Sequence, residues 1–277
     1  MIPDYLVWPG LVLLGAGVGI YGTIIGAGGG FLLVPVLLIL YPDLPPESIT
    51  ALSLGVVFFN ALSGTAAYAR QRRIDYEAGL IFAITTIPSA ILGALATGLL
   101  ATEAFEVAFA LLLTVAAIWL LVPRPTSLRV TPPSPRMRRH SIADIDGFTY
   151  VFSFDTWLAL FLGLVIGIVA SLFGVGGGIF LVPAMVLLMR MPSHIATATS
   201  TFILLFSGGT GAFVHLVTGN YADLAGEEFS LAFGSLLGAQ VGAIVSRRLV
   251  NRQKVVTRFF SAALLIVAAR MLLRSLL

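Results

Sequence analysis

An all-α polytopic membrane protein, folded as two inverted-topology repeats of five membrane segments each, is the architecture this sequence predicts. Three observations carry the prediction. Of 277 residues, 58% are apolar and 10% charged, with a mean hydropathy of +1.01; a water-soluble domain has no use for so much apolar surface. A glycine motif occurs twice, 148 positions apart, as Gly26-Ala27-Gly28-Gly29-Gly30-Phe31-Leu32-Leu33-Val34-Pro35 and Gly174-Val175-Gly176-Gly177-Gly178-Ile179-Phe180-Leu181-Val182-Pro183. Equivalent loops of the two halves carry opposite charge.

A helical span takes about 20 residues, so ten of them use most of the chain. The apolar segments run over 6–25, 28–41, 49–69, 78–100 and 104–122, then 157–173, 176–190, 196–217, 229–246 and 255–276. The second and seventh are short. At about 1.5 Å per residue they cover less than the ~30 Å hydrocarbon thickness, so each reads as a broken or re-entrant piece with a half-helix. Residues 1–122 form the first repeat, 123–156 a Pro/Arg-rich linker and 157–277 the second repeat. The stretch 123–155 holds five prolines, five arginines and His140, and its first part reads as disordered. Its later part, Phe148-Thr149-Tyr150-Val151-Phe152-Ser153-Phe154, alternates aromatic and smaller residues. It is expected at the membrane interface, being short for an independently folded β-element.

The halves match beyond the glycines: Pro35 answers Pro183, Ser53 answers Ser200, Gly64 answers Gly211, Tyr68 answers His215 and Gly93 answers Gly242. Charge relates them. The loop with Arg70, Arg72 and Arg73 corresponds to one with Asp223, Glu227 and Glu228. The acidic loop near Asp43 and Glu47 corresponds to one with Arg190 and His194; Glu103 and Glu106 correspond to the cluster of Arg247, Arg248, Arg252 and Lys254. If every segment crosses once, both termini face outward, the linker is cytoplasmic, and 14 of the 16 basic residues lie inside, leaving only Arg270 and Arg274. That obeys the positive-inside rule, and five plus five inverted segments is a secondary-transporter architecture. It also explains the pI near 9.5 without nucleic acid, because the arginines fall in loops beside the spans. Residues 1–8 lack a basic n-region and carry Asp4, so no cleavable signal is expected. The absence of cysteine excludes disulfides and thiolate metal sites.

Glycine costs about 1 kcal/mol relative to alanine inside a helix, so a cluster of four marks a break. Freed backbone groups in a bilayer must be buried in protein or line a polar cavity. A matching break in each half points to a transporter's binding site; close helix packing through small residues is the alternative. A half-helix N-terminus offers unpaired N–H groups and about half a positive charge, which suits an anion. Gly28, Gly29 and Gly30, with Gly176, Gly177 and Gly178, are therefore candidate substrate-binding residues, presented by half-helices starting at Phe31 and Ile179. The dinucleotide fingerprint does not fit, for no βαβ unit surrounds Gly26-x-Gly28.

Side-chain donors are sought on the third segment of each half: Ser53, Asn60 and Ser63 in the first, Ser200, Thr201, Ser207 and Thr210 in the second, with Thr197 and Thr199 beside them. Gln240 is a further candidate. Many such hydroxyls merely bond the i−4 carbonyl or join helices; Asn60 stands out because its amide brings two donors. His215 lies near the outer end of the eighth segment, where proton sensing competes with an interfacial hydrogen bond. No acidic or basic residue falls in the middle of a predicted span, so an acid-based relay is not visible. Paired carboxylates, a metal-ligand cluster and a catalytic triad are lacking too. No enzyme, cofactor or metal is expected.

With its doubled Gly-x-Gly-Gly-Gly-x-x-x-Val-Pro, basic linker and Ser/Thr-rich third segments, the chain resembles the TauE/SafE family of sulfite and organosulfonate exporters, over nearly its whole length apart from 123–155. The resemblance implies a bacterial inner-membrane transporter of sulfur-containing anions such as sulfite or sulfoacetate. Its partners are then a small anionic substrate and the lipid bilayer. Outward movement of an anion gains about 2.3 kcal/mol per charge per 100 mV, interior negative, so export needs no coupling. Uptake coupled to H⁺ or Na⁺, a passive anion channel and an anion sensor without flux are the rival readings. The substrate, coupling ion, direction and oligomeric state stay open at this point.

Overall fold

A computed structural model describes residues 4–121, 137–145, 147–221, 224–249, 261–262, 264–271 and 273. The first half contributes α1 (Asp4–Ile25), α2 (Gly30–Leu40), α3 (Pro46–Arg70), α4 (Tyr76–Thr97) and α5 (Thr102–Leu121). A hairpin follows, β1 (Met137–Ala143) with β2 (Thr149–Asp155), then α6 (Thr156–Leu172), α7 (Gly178–Leu187), α8 (Ser193–Val217) and α9 (Ala225–Arg248). Within the predicted tenth segment, residues 264–271 are helical. Among the described residues, six helices are long and apolar enough to cross a membrane; α2, α6 and α7 are shorter apolar helices.

Local sequence sets the ends. Pro46 opens α3 at a position that needs no N–H, and Asp75 caps α4 by accepting the Ala78 N–H at 3.0 Å. Asp155 caps α6 through Trp157 N–H at 2.8 Å. Both short helices start on a glycine cap in the left-handed region, Gly29 at φ 87° and Gly177 at φ 99°. Outward faces of α4, α5 and α9 expose Ile84, Leu92, Leu111, Ile118, Phe229 and Ile244, the surface a bilayer covers.

Close contacts give helix directions. On α1, Gly15 lies against Leu231 and Gly19 against Ser235, while Gly242 of α9 lies against Ile20; α1 and α9 run the same way. Gly163 and Gly167 of α6 face Phe82 and Thr86 of α4, and Gly93 faces Ile168, so α4 and α6 are parallel. Helices α3 and α8 are antiparallel, with Gly211 against Leu54 and Gly64 against Thr201. Here glycine serves close packing, the alternative weighed above for the motif.

Two expectations need correction. The aromatic stretch after residue 147 is strand β2, paired in antiparallel register with β1, His140 opposite Phe152. Two strands of seven residues hold no core of their own; the helices supply it. Phe152 and Phe154 are buried on either side of His140, the Ile145 N–H bonds Gln71 O at 3.2 Å, and His140 Nδ1 meets Asp75 Oδ2 at 2.9 Å. The ninth helix also starts earlier than predicted, at Ala225, placing Glu227 and Glu228 in its first turn rather than in a loop. The linker's first part, read as disordered, lies outside the described residues.

Candidate functional site

The two glycine loops, 26–29 and 174–177, meet between the middles of α3 and α8. A Cβ added to Gly30 would strike the Gly174 carbonyl, and one on Gly178 the Gly26 carbonyl and Ala27 Cα. Each helix start therefore sits on the other repeat's loop. Two serines cross in the same way. Ser53 Oγ of α3 donates to Gly174 O at 2.6 Å, and Ser200 Oγ of α8 donates to Gly26 O at 2.7 Å. Ser207 adds a bond to Gly176 O at 3.0 Å.

This bracing has an electrostatic consequence. Loop carbonyls that would repel an anion are covered by hydroxyl protons. The N–H groups of Gly26, Ala27 and Gly28 turn back to Gly22 O, and those of Val175 and Gly176 to Ala170 O. Among the described residues, no carbonyl takes the N–H of Gly29, Gly30, Gly177 or Gly178. Two helix N-termini thus bring unclaimed donors to one place. Apolar side chains seal it: Val57 and Leu204 lie against both Gly28 and Gly176.

The other predicted donors lie around this centre. Asn60, fully buried, donates through Nδ2 to Gly19 O at 3.0 Å and accepts from Thr23 Oγ1 at 3.1 Å, tying α3 to α1. Ser63 donates to Leu236 O at 2.7 Å, and Gln240 Nε2 reaches Ser63 Oγ at 2.8 Å; both tie α3 to α9. Thr201 bonds its own helix at Thr197 O, 2.9 Å away. Thr210 is half-buried on α8. The structure gathers Gly28–30, Ser53, Gly176–178, Ser200 and Ser207 at the loops and sets Asn60, Ser63 and Gln240 on the seams to α1 and α9. Asn60→Ala should cost about 1–3 kcal/mol, because Gly19 O and Thr23 Oγ1 lose their partner. Melting curves of the ligand-free proteins check this.

The repeats differ in their polar inventory. Where the first has Thr23, Asn60 and Tyr68, with Tyr68 Oη donating to Thr23 O at 2.7 Å, the second has Ser171, Ser207 and His215. Ser171 Oγ and His215 Nε2 are buried without a partner among the described residues, while His215 Nδ1 meets Asn220 Nδ2 at 2.8 Å.

Glu228 and Arg73, both read from the sequence as loop charges, carry charged atoms that the structure seals from solvent. Glu228 borders a cavity of about 620 Å³ between α3, α8 and α9. Its stem is half-buried, yet both carboxylate oxygens are sealed and meet no donor among the described residues. The carboxylate rests on Gly55 of α3, just as Phe202 of α8 rests on Gly79 of α4. One repeat fills this notch with a phenyl ring, the other with an acid, so packing alone does not require the charge. Nearby, burial and the Glu228 carboxylate push the Tyr221 hydroxyl above its ordinary range, so it stays a donor, bonding Ala51 O at 2.7 Å. The second residue is Arg73, 3% exposed below the hairpin.

The sulfite exporter TauE/SafE family model matches residues 11–271. Among curated relatives, the probable membrane transporter protein YunE of Bacillus subtilis is 32% identical over 248 residues, spanning 87% of this chain and 89% of its own. A probable membrane transporter protein of Xylella fastidiosa is 26% identical over 96% of this chain and 95% of its own. A probable membrane transporter protein, MJ0441 of Methanocaldococcus jannaschii, is 25% identical over 86% and 82%. No solved structure matches. A multi-pass helical membrane protein with this doubled glycine motif, matched over nearly its whole length, belongs to the TauE/SafE family of membrane transporters.

Proposed function

We propose that this protein exports a sulfur-containing anion, sulfite or a small organosulfonate, across the bacterial inner membrane through a site between the two glycine loops. One observation carries the reading: two helix N-termini with unclaimed N–H groups converge where serines from the opposite repeat cover the loop carbonyls. A sulfite or sulfonate presents oxygen acceptors and negative charge, and donors of this kind suit both. Substrate passage then requires Val57 and Leu204 to part. The membrane potential drives export without a coupling ion. The test is release of sulfite from loaded proteoliposomes under an imposed potential. Release that saturates, responds to the potential and shows counterflow supports a carrier; release proportional to concentration without counterflow favours a channel.

Inverted repeats are part of the proposal, supported by the opposed directions of α3 and α8 and by the loop charges. Both termini then face outward, with the loop after α3 and the linker in the cytoplasm. Cysteines placed singly at Arg72 and Asn220 are expected to label from opposite faces with an impermeant reagent. Labelling of both from one face contradicts the arrangement.

Glu228 favours a second reading, proton-coupled uptake of the same anion. A sealed carboxylate without donors is costly when ionised, and an anion cannot easily share its surroundings unless it carries a proton. Under this reading Glu228→Gln keeps counterflow but loses uptake driven by a proton gradient. Under the export reading, both properties match wild type.

A further inference from the structure

We propose that Arg73, in the α3–α4 connection beside the β1–β2 hairpin, holds an oxyanion-binding site distinct from the glycine loops. The inference rests on the reading of this protein as an anion transporter and gives its substrate a first stop on the hairpin side. Arg73 is 3% exposed, yet its Nε and Nη1 groups are sealed from solvent and find no hydrogen-bond partner among the described residues. No ion pair engages it among the described residues. A guanidinium cannot shed its proton in a protein, and a buried charge without a partner is among the costliest arrangements a fold can hold. Such a group is stabilised when an anion arrives.

The surroundings fit an anion in transit rather than a structural pair. Of the nearby carboxylates, Asp75 caps α4 through Oδ1, and its buried Oδ2 lies 2.9 Å from His140 Nδ1 outside hydrogen-bond geometry, while Asp144 Oδ1 accepts the Phe148 N–H inside the hairpin turn. His194, within electrostatic reach of Arg73 and Asp144, has an Nε2 without a partner among the described residues and packs edge-to-face with Tyr150 of β2, ring centroids 4.5 Å apart. Unclaimed polar atoms of α8 and of the α3–α4 connection therefore lie under one hairpin. From there a polar ladder climbs the first repeat. Tyr68, which also feels Arg73, donates to Thr23 O, and Thr23 donates to Asn60. Thr23 lies three residues before Gly26. Sulfite, sulfate and sulfonate groups share the required chemistry, compact oxygens that guanidinium binds well. An anionic lipid headgroup offers the same oxygens; a site this enclosed favours the free ion over a phosphodiester tied to two acyl chains.

The experiment measures thermal stabilisation by sulfate and by sulfite for wild type, Arg73→Lys and Arg73→Gln, in nanodiscs of neutral lipid and of lipid containing phosphatidylglycerol. Wild type is expected to gain stability with either free anion in neutral lipid. Arg73→Gln should melt no lower than wild type without anion and bind both anions at least about tenfold more weakly. Arg73→Lys, with its charge kept and its fork lost, should fall between them. Unchanged affinity in Arg73→Gln overturns the proposal, whatever its apo stability. Stabilisation of wild type by phosphatidylglycerol alone overturns it in favour of a lipid. Sulfite efflux separates this proposal from the transport reading. Normal efflux with unchanged half-saturation in Arg73→Gln removes the site and leaves the transporter. Anion binding lost with Arg73, in a wild type that releases no sulfite, keeps the site and removes sulfite export.

Discussion

Gly178→Ala is expected to stop the two halves from closing on each other. The added Cβ would lie on the Gly26 carbonyl oxygen and on Ala27 Cα, backbone atoms with no rotamer to escape into. Displacing that carbonyl also breaks its bond from Ser200. Overpacking of a tight core costs about 1–3 kcal/mol, and a buried carbonyl left without its donor adds about 1–3 kcal/mol. Together these remove about 2–6 kcal/mol from a typical stability of about 5–15 kcal/mol, so the variant should be recovered poorly or melt well below wild type. Gly30→Ala should behave alike, through Gly174 O. Gly17→Ala is the control, since nothing among the described residues lies within 4 Å of a Cβ there. Wild-type melting of Gly178→Ala would mean that the loops do not meet.

The second large effect concerns Ser53 and Ser200. Removing either hydroxyl leaves a buried loop carbonyl unpaired, at about 1–3 kcal/mol each. The loops touch, so the Ser53→Ala, Ser200→Ala double variant should depart from the sum of the single ones. A bared carbonyl oxygen beside the unclaimed N–H groups also opposes an anion. Both single variants should therefore lose sulfite affinity as well as stability. Ser53→Thr and Ser200→Thr, which keep the hydroxyl, should recover much of the affinity. Loss of stability with unchanged affinity would make the serines braces only, and the donors for substrate would lie elsewhere.

Much of this was legible in the chain. A four-glycine break followed by a short apolar run marks a half-helix start, and α2 and α7 begin at Gly30 and Gly178. The repeat offset pairs Ser53 with Ser200, but not which loop each serine touches; the crossing to the opposite repeat is a property of the assembled halves. Arg73 reads as one of three loop arginines, and its burial appears only in the assembled structure, where the hairpin bonds Gln71 and Asp75 on either side of it in sequence. That hairpin was hidden because β1 runs through the basic stretch Met137-Arg138-Arg139-His140, without the apolar alternation that marks a strand. Glu228 was missed through a boundary, since hydropathy starts the ninth segment at Phe229 whereas the helix begins four residues earlier.

The central claim, one anion site made by two glycine loops, is tested most directly by sulfite efflux from proteoliposomes bearing Gly28→Ala. At φ 74° the nearest atoms to a Cβ on this glycine belong to the side chains of Val57 and Leu204, which can give way, so the protein should still assemble. An added methyl group at the seal between the loops, in a backbone conformation that disfavours it, should lower efflux at least about tenfold while melting stays within a few degrees of wild type. Efflux equal to wild type from the folded variant would contradict the claim.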